Sequence, residues 1–260
     1  MEARIGILDE LVADGHETFT SARLREQLGV SPQATSNLLA RWMRDGLVDR
    51  VSRGHYVVRQ LGSLGTRAAS QDIALAVAAA FDGIPHRIAY RSALDYHGLL
   101  THPARAIQVA TSRTRRLRSI SGRKLRCITE QDATLMIGTE NTPAGAFVST
   151  HARSLLDAAA RPDLAGGPAV LAEALAARPV DADELTSLAV QLRANAALRR
   201  IGSIADQLDI NGIAHQLEPL RSPRSDIDLD TRDSHRAFRD NRWSVAWPIT
   251  IDELAAALDQ

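Results

Sequence analysis

The sequence predicts a chain that is mainly helical at its start and mixed α+β beyond: a small three-helix module closed by a β-hairpin, then a larger α+β domain. Three observations predict this. Helix start and stop residues stand in consistent order over the first sixty positions, a Gly- and Ser-containing stretch follows, and short β-rich runs then alternate with alanine-rich amphipathic ones. A length of 260 residues suits two cores. With 45% hydrophobic and 24% charged residues, disorder is excluded as the dominant state.

Ile5, Leu8, Leu11 and Val12 recur at helical spacing and mark a first helix that ends near Asp14-Gly15. Thr20 is placed to cap a second helix, with Phe19 before it and Leu24 after it as a hydrophobic staple, and Gly29 stops it. The third helix has Ser31 as cap and Pro32 at the first helical position, where a missing N–H costs nothing. Leu38, Leu39 and Trp42 supply its buried stripe, and Gly46 ends it. Residues 47–51 and 55–58 are β-rich runs around Ser52-Arg53-Gly54, which reads as a hairpin.

Helix, helix, tight turn, helix, hairpin is the order of a winged helix-turn-helix, whose third helix enters the DNA major groove. Residues 1–60 are therefore expected to form such a domain and to enclose their own small core. On the third helix Gln33, Ser36, Asn37 and Arg41, at i, i+3, i+4 and i+8, share the polar face. Gln and Asn pair bidentately with adenine, and Arg pairs with guanine or a phosphate. Arg50, Arg53 and His55 have the chemistry of a wing resting on the phosphate backbone. The module carries 8 Arg and 8 acidic residues, so it has no net positive charge of its own.

Residues 59–70 read as a linker, with 61–70 separating the winged module from an α+β domain over 71–260. In that domain helices are expected over 72–81 and 87–97, the second ending at Gly98. Strands are expected over 106–111, 124–129 and 146–149, then a helix through Leu155-Leu156, and two or three more across 168–210. Residues 226–229 and 243–247 alternate or run apolar as strands do. Charge is unevenly spread: residues 86–126 hold ten basic side chains against Asp95 alone, a net +9, while 127–260 carry a net −8. Within the basic segment Arg113, Arg115, Arg116 and Arg118 are candidate phosphate contacts. Lys124 is the only lysine, a bias that points to a GC-rich genome.

Other chemistry is weaker. Asp226, Asp228 and Asp230 alternate, so in a strand they would share one face and could hold a hard cation, as in a DNA-targeted nuclease; a solvated strand face has the same pattern. His97 and His102 have no third ligand at metal spacing. Cys127, the single cysteine, allows neither an internal disulfide nor a cysteine zinc site and fits an apolar strand. Gly166-Gly167 follows a helix and reads as a helix stop rather than a phosphate loop. No catalytic, cofactor or metal residue is assigned, and no enzyme activity is expected. The longest apolar run, 73–81, is about half of the roughly 20 residues a bilayer span requires, and no signal segment opens the chain, so a cytoplasmic protein without a membrane partner is expected.

Several stretches of the second domain resemble the AbiEi family of antitoxins. They are Ile88-Ala89-Tyr90-Arg91-Ser92-Ala93-Leu94-Asp95-Tyr96-His97-Gly98-Leu99, Val109-Ala110-Thr111, the run from Arg153-Ser154-Leu155-Leu156-Asp157 to Gly166-Gly167, and Leu198-Arg199-Arg200-Ile201-Gly202. The resemblance implies a two-part antitoxin. Its winged module would bind double-stranded operator DNA at repeats upstream of its own operon. Its second domain would counteract a co-encoded nucleotidyltransferase-like toxin, and both domains would present positive surface to DNA. The chain departs from the family pattern in having His151-Ala152 where a glutamate often precedes the Arg-Ser-Leu-Leu-Asp stretch. A stand-alone winged-helix transcription factor with a ligand-sensing second domain is the alternative.

Overall fold

Strand β1 (Thr18–Thr20) runs directly into helix α1 (Ser21–Leu28), because the Thr20 hydroxyl accepts the Arg23 N–H at 3.1 Å and caps the first turn. The computed structural model describes residues 18–52, 54–58, 73–114, 116–120, 122–210, 212–221 and 225–258. The first expected helix, the linker over 61–70, Arg53 and Arg115 lie outside the described residues. Gly29, at φ 61°, ends α1 in a left-handed turn that a residue with a Cβ enters only at a cost. Helix α2 (Pro32–Arg44) then starts as its sequence predicts: the Ser31 hydroxyl accepts the Ala34 N–H at 3.3 Å and Pro32 takes the first position.

Strands β2 (Val48–Ser52) and β3 (His55–Val58) form the expected hairpin, and β1 joins it to give a three-stranded antiparallel sheet in the order β1-β3-β2. Register places Phe19 opposite Tyr56, so their rings stack at 5.8 Å, while Trp42 meets Phe19 edge-on at 6.4 Å. With Leu24, Leu39 and Val48 these rings form the module's core. Phe19 is thus a strand residue as well as the neighbour of the helix start. Alternation sends Val51 and Val57 to the opposite face, where helix α3 (Ile73–Ala80) covers them. They share a core with Val77, Phe81, Val109 and Ile120, so the second domain closes one face of the hairpin. The module does not enclose itself as its sequence led us to expect.

The second domain is built on strands β4 (His86–Ile88), β5 (Ile107–Thr111), β6 (Ser119–Ile120), β7 (Arg123–Thr129), β8 (Thr139–Asn141) and β9 (Phe147–Ser149). They make a six-stranded mixed sheet in the order β6-β7-β5-β4-β9-β8. β5 is parallel to β7 and β4 to β9; the other pairings are antiparallel. One expectation is corrected here. Residues 87–97 are not one helix: β4 carries Arg87 and Ile88, the chain turns at Tyr90, and helix α4 spans only Arg91–Tyr96. All three residues of β4 are buried, so it has no period-two alternation to distinguish it from a helix start.

Beyond the sheet come short helix α5 (Asp132–Leu135), then α6 (His151–Ala160), α7 (Pro162–Ala165), α8 (Pro168–Ala177), α9 (Ala182–Gln191) and α10 (Asn195–Gln207). α11 (Ile213–Leu217) follows, then a small sheet of β10 (Ile227–Asp228), β11 (Phe238–Asp240) and β12 (Val245–Trp247), and finally α12 (Ile251–Leu258). Gly166, at φ 113°, stops α7 as expected. Leu155, Leu156, Leu171, Leu185, Leu198, Ile201, Trp243 and Trp247 form the largest core, between these helices and the last sheet.

The Leu198-Arg199-Arg200-Ile201-Gly202 stretch works here as a clamp. Arg199 donates to the backbone oxygens of Trp243 and Ser225, each at 2.8 Å, and Arg200 to those of Asp228 and Ala159 at 2.8 and 2.9 Å. Gly202 leaves room for the buried Trp243 ring: a Cβ there would lie 2.3 to 2.6 Å from three ring carbons, inside contact distance. Gly202→Ala is therefore expected to destabilise by about 1–3 kcal/mol, seen as a lowered urea midpoint, although alanine is the better helix former.

Candidate nucleic-acid interface

Helix α2 is amphipathic in fact as well as in pattern. Thr35, Leu39 and Trp42 are buried against the module's core, while Gln33, Ser36, Asn37 and Arg41 are all exposed on the other side. The structure thus brings the four predicted residues together along 13 residues of capped helix. Gln33 and Asn37 touch: Gln33 Nε2 donates to Asn37 Oδ1 at 3.3 Å. On the hairpin, Arg50 is exposed on β2 and His55 half-buried at the start of β3.

The basic segment is only partly a surface. Its first arginine, Arg87, is completely buried, so it does not contribute to a basic face. Arg91 is half-buried and donates to Ala165 O at 3.2 Å, and Arg123 donates to Ala104 O at 2.6 Å. Arg113, Arg116 and Arg118, with Arg105, Lys124 and Arg126, are exposed. β6, the outer strand of the large sheet, lies against β2 of the hairpin. The cationic β6–β7 region is therefore a neighbour of the wing, which is how a winged module of zero net charge comes to stand beside positive surface.

Sequence reasoning missed a second constellation, the ion network around Arg87. Arg87 donates to both oxygens of Glu130 at 3.0 Å, to Asp157 Oδ2 at 2.9 Å and to Ser149 Oγ at 3.1 Å. Arg153 donates to Asp157 Oδ1 at 2.7 Å and to Ile137 O at 2.7 Å, and the Tyr90 hydroxyl donates to Glu130 Oε1 at 2.7 Å. Burial raises the Glu130 pKa above the usual carboxylate range, with the Arg87 charge opposing. Burial also raises the Tyr90 phenol pKa, helped by the Asp157 and Glu130 charges. Two arginines balance two carboxylates and every oxygen of the pair has a donor, so the arrangement holds α6 to the sheet. The one signal in the sequence was the Arg153–Asp157 pair at i, i+4 inside a helix that carries no other Asp, Glu, Lys or Arg.

The three alternating aspartates are each neutralised by a separate arginine. Asp226 pairs with Arg239 at 2.9 Å, Asp228 with Arg236 at 3.4 Å and Asp230 with Arg232 at 2.5 Å. Hydrogen bonds from these arginines hold Asp226 and Asp230 below the usual carboxylate range. Among the described residues no group of three His, Cys, Asp or Glu is placed to hold a metal ion. His97 Nε2 makes a 2.6 Å hydrogen bond with Ser149 O at the end of α4, and Cys127 is half-buried beside the core under the wing.

Comparison with known families decides the relationship. Residues 7–59 match the model described as "Transcriptional regulator, AbiEi antitoxin", and residues 87–207 match the AbiEi antitoxin C-terminal domain. The chain belongs to the AbiEi antitoxin family. The two matches together span two-thirds of this AbiEi chain. The crystal structure of the RV2827C protein from Mycobacterium tuberculosis shares the fold, with a TM-score of 0.67 over 98% of this chain and 94% of that one, at 18% identity. No curated protein matches the chain. The family is one of antitoxins and DNA-binding regulators, and among the described residues no helix is long and apolar enough to cross a membrane.

Proposed function

We propose that this AbiEi chain is the antitoxin of a bacterial toxin–antitoxin pair, that it binds operator DNA at repeats upstream of its own operon and represses it, and that it counteracts a co-encoded nucleotidyltransferase-type toxin. The observation that carries the DNA half is the exposed row Gln33, Ser36, Asn37 and Arg41 on a helix whose opposite face is fixed in a core. In this reading α2 enters the major groove with those four side chains at base edges. Arg50, Arg53 and His55 meet the phosphates beside it, and Arg113, Arg115, Arg116 and Arg118 extend the phosphate contact from the second domain. Residues 1–60 read DNA, 61–70 link, and 71–260 oppose the toxin by binding rather than by turnover.

Two experiments test it. Expression of the neighbouring nucleotidyltransferase gene is expected to arrest growth, and co-expression of this full chain to restore it; arrest that persists defeats the antitoxin reading. For the basic segment, replacing Arg113, Arg115, Arg116 and Arg118 by Gln is expected to weaken binding about equally on all duplexes. The plot of log K against log salt is expected to flatten by about 0.9 for each phosphate no longer neutralised. A salt slope equal to that of the wild type removes these four residues from the interface.

A further inference from the structure

Asn and Gln read adenine only when the amide plane is turned so that its oxygen faces the N6 amino group and its nitrogen faces N7. On a bare helix surface that rotamer must be selected at binding, because the terminal amide torsion is broad. On α2 it is already restrained. Gln33 Nε2, one helical turn before Asn37, donates to Asn37 Oδ1 at 3.3 Å. The bond occupies one lone pair of Asn37 Oδ1, and the second lone pair and the two hydrogens of Asn37 Nδ2 take no part in it, on a residue that is exposed. Ala34 and Ala40, which are also exposed on α2, have no side-chain group to compete for either amide.

We infer that Gln33 is a positioning residue: it orients the Asn37 amide for bidentate recognition of one adenine, and it acts on base preference through Asn37. The inference rests on the reading of α2 as the recognition helix and adds to it which base is chosen and by which pair. Gln33 turns its Nε2 donor toward Asn37 Oδ1, whereas a side chain at position 33 that offers only acceptors would attract Asn37 Nδ2 and turn the amide over.

The test is selection of bound duplexes from a randomised library with the full-length protein and single variants, read as base preference at each position. Asn37→Ala is expected to remove an adenine preference of roughly 5- to 150-fold at one position, the range of one bidentate contact. Gln33→Ala and the near-isosteric Gln33→Glu are both expected to lower the preference at that same position, and Gln33→Lys, which keeps a donor, to retain it. If Gln33→Ala changes a different position or none, or if Gln33→Glu behaves as wild type, Gln33 does not position Asn37. If Asn37→Ala leaves the whole profile unchanged, it is the assignment of α2 as the reading helix that fails, and the inference with it.

Discussion

Replacing Arg87 by Met is expected to destabilise the protein by about 3–5 kcal/mol, because it strands Glu130 and Asp157 in the interior without their principal cation. Arg87 is 0% exposed, and its guanidinium satisfies groups from four separate segments: Glu130 just after β7, the Leu135 carbonyl at the end of α5, Ser149 at the end of β9 and Asp157 on α6. Methionine replaces the apolar stem of the arginine, ends short of the guanidinium and forms none of these bonds. Asp157→Ala is expected to fall in the same range, since it leaves both Arg87 and Arg153 short of an acceptor. The double replacement Arg87→Met/Asp157→Ala is expected to cost less than the sum of the singles, because Glu130 and Arg153 can still pair. Urea unfolding measures all three; a loss below about 1 kcal/mol for Arg87→Met would mean that the network does not anchor α6. The stretches by which the family is recognised contain Arg87's neighbours Tyr90, Arg153 and Asp157, so they mark how the domain is held together more than what it touches.

That network shows where the sequence stops being readable. The two helices after Thr20 were legible because their signals are local: Thr20 and Ser31 cap, Pro32 opens, Gly29 stops, and the structure has each of them in that role. Leu155-Leu156, Gly166 and the helices after 168 were legible for the same reason. What failed is non-local. β4 is three residues long and buried throughout, and the chain turns at Tyr90 with φ 53°, where a sequence reader looks for glycine. Strand β11 is equally short and exists by pairing with β12, with Phe238 opposite Trp247. Charge was misjudged at the same places: Arg87 counted toward a basic surface because nothing adjacent in sequence neutralises it, while its partners lie 43 and 70 positions away. The candidate DNA face was readable because one helix face is set by a 3.6-residue period alone. The covering of Val51 and Val57 by α3 was not, because either face of a three-stranded sheet can be closed from outside.

Changing Gln33, Ser36, Asn37 and Arg41 together to Ala is expected to reduce affinity for the operator to the level of non-specific duplex, a loss of about 10³-fold or more. Each bidentate base contact contributes about 1–3 kcal/mol of discrimination, and removing two or three of them abolishes the whole margin between specific and non-specific binding. The fold is expected to survive, because all four side chains are exposed, the Ser31 cap is retained and Ala is the best helix former. Binding to arbitrary DNA at low salt is expected to persist through Arg50 and the exposed arginines at 113, 116 and 118, since Arg41 is the only cation among the four replaced side chains. Two measurements separate these terms: the ratio of operator to random-duplex affinity at fixed salt, and the thermal midpoint of the free protein. An unchanged midpoint with a ratio near one places sequence reading on this face of α2. An unchanged midpoint with an unchanged ratio would move it elsewhere, and the candidate left would be the cationic β6–β7 region that lies against the wing.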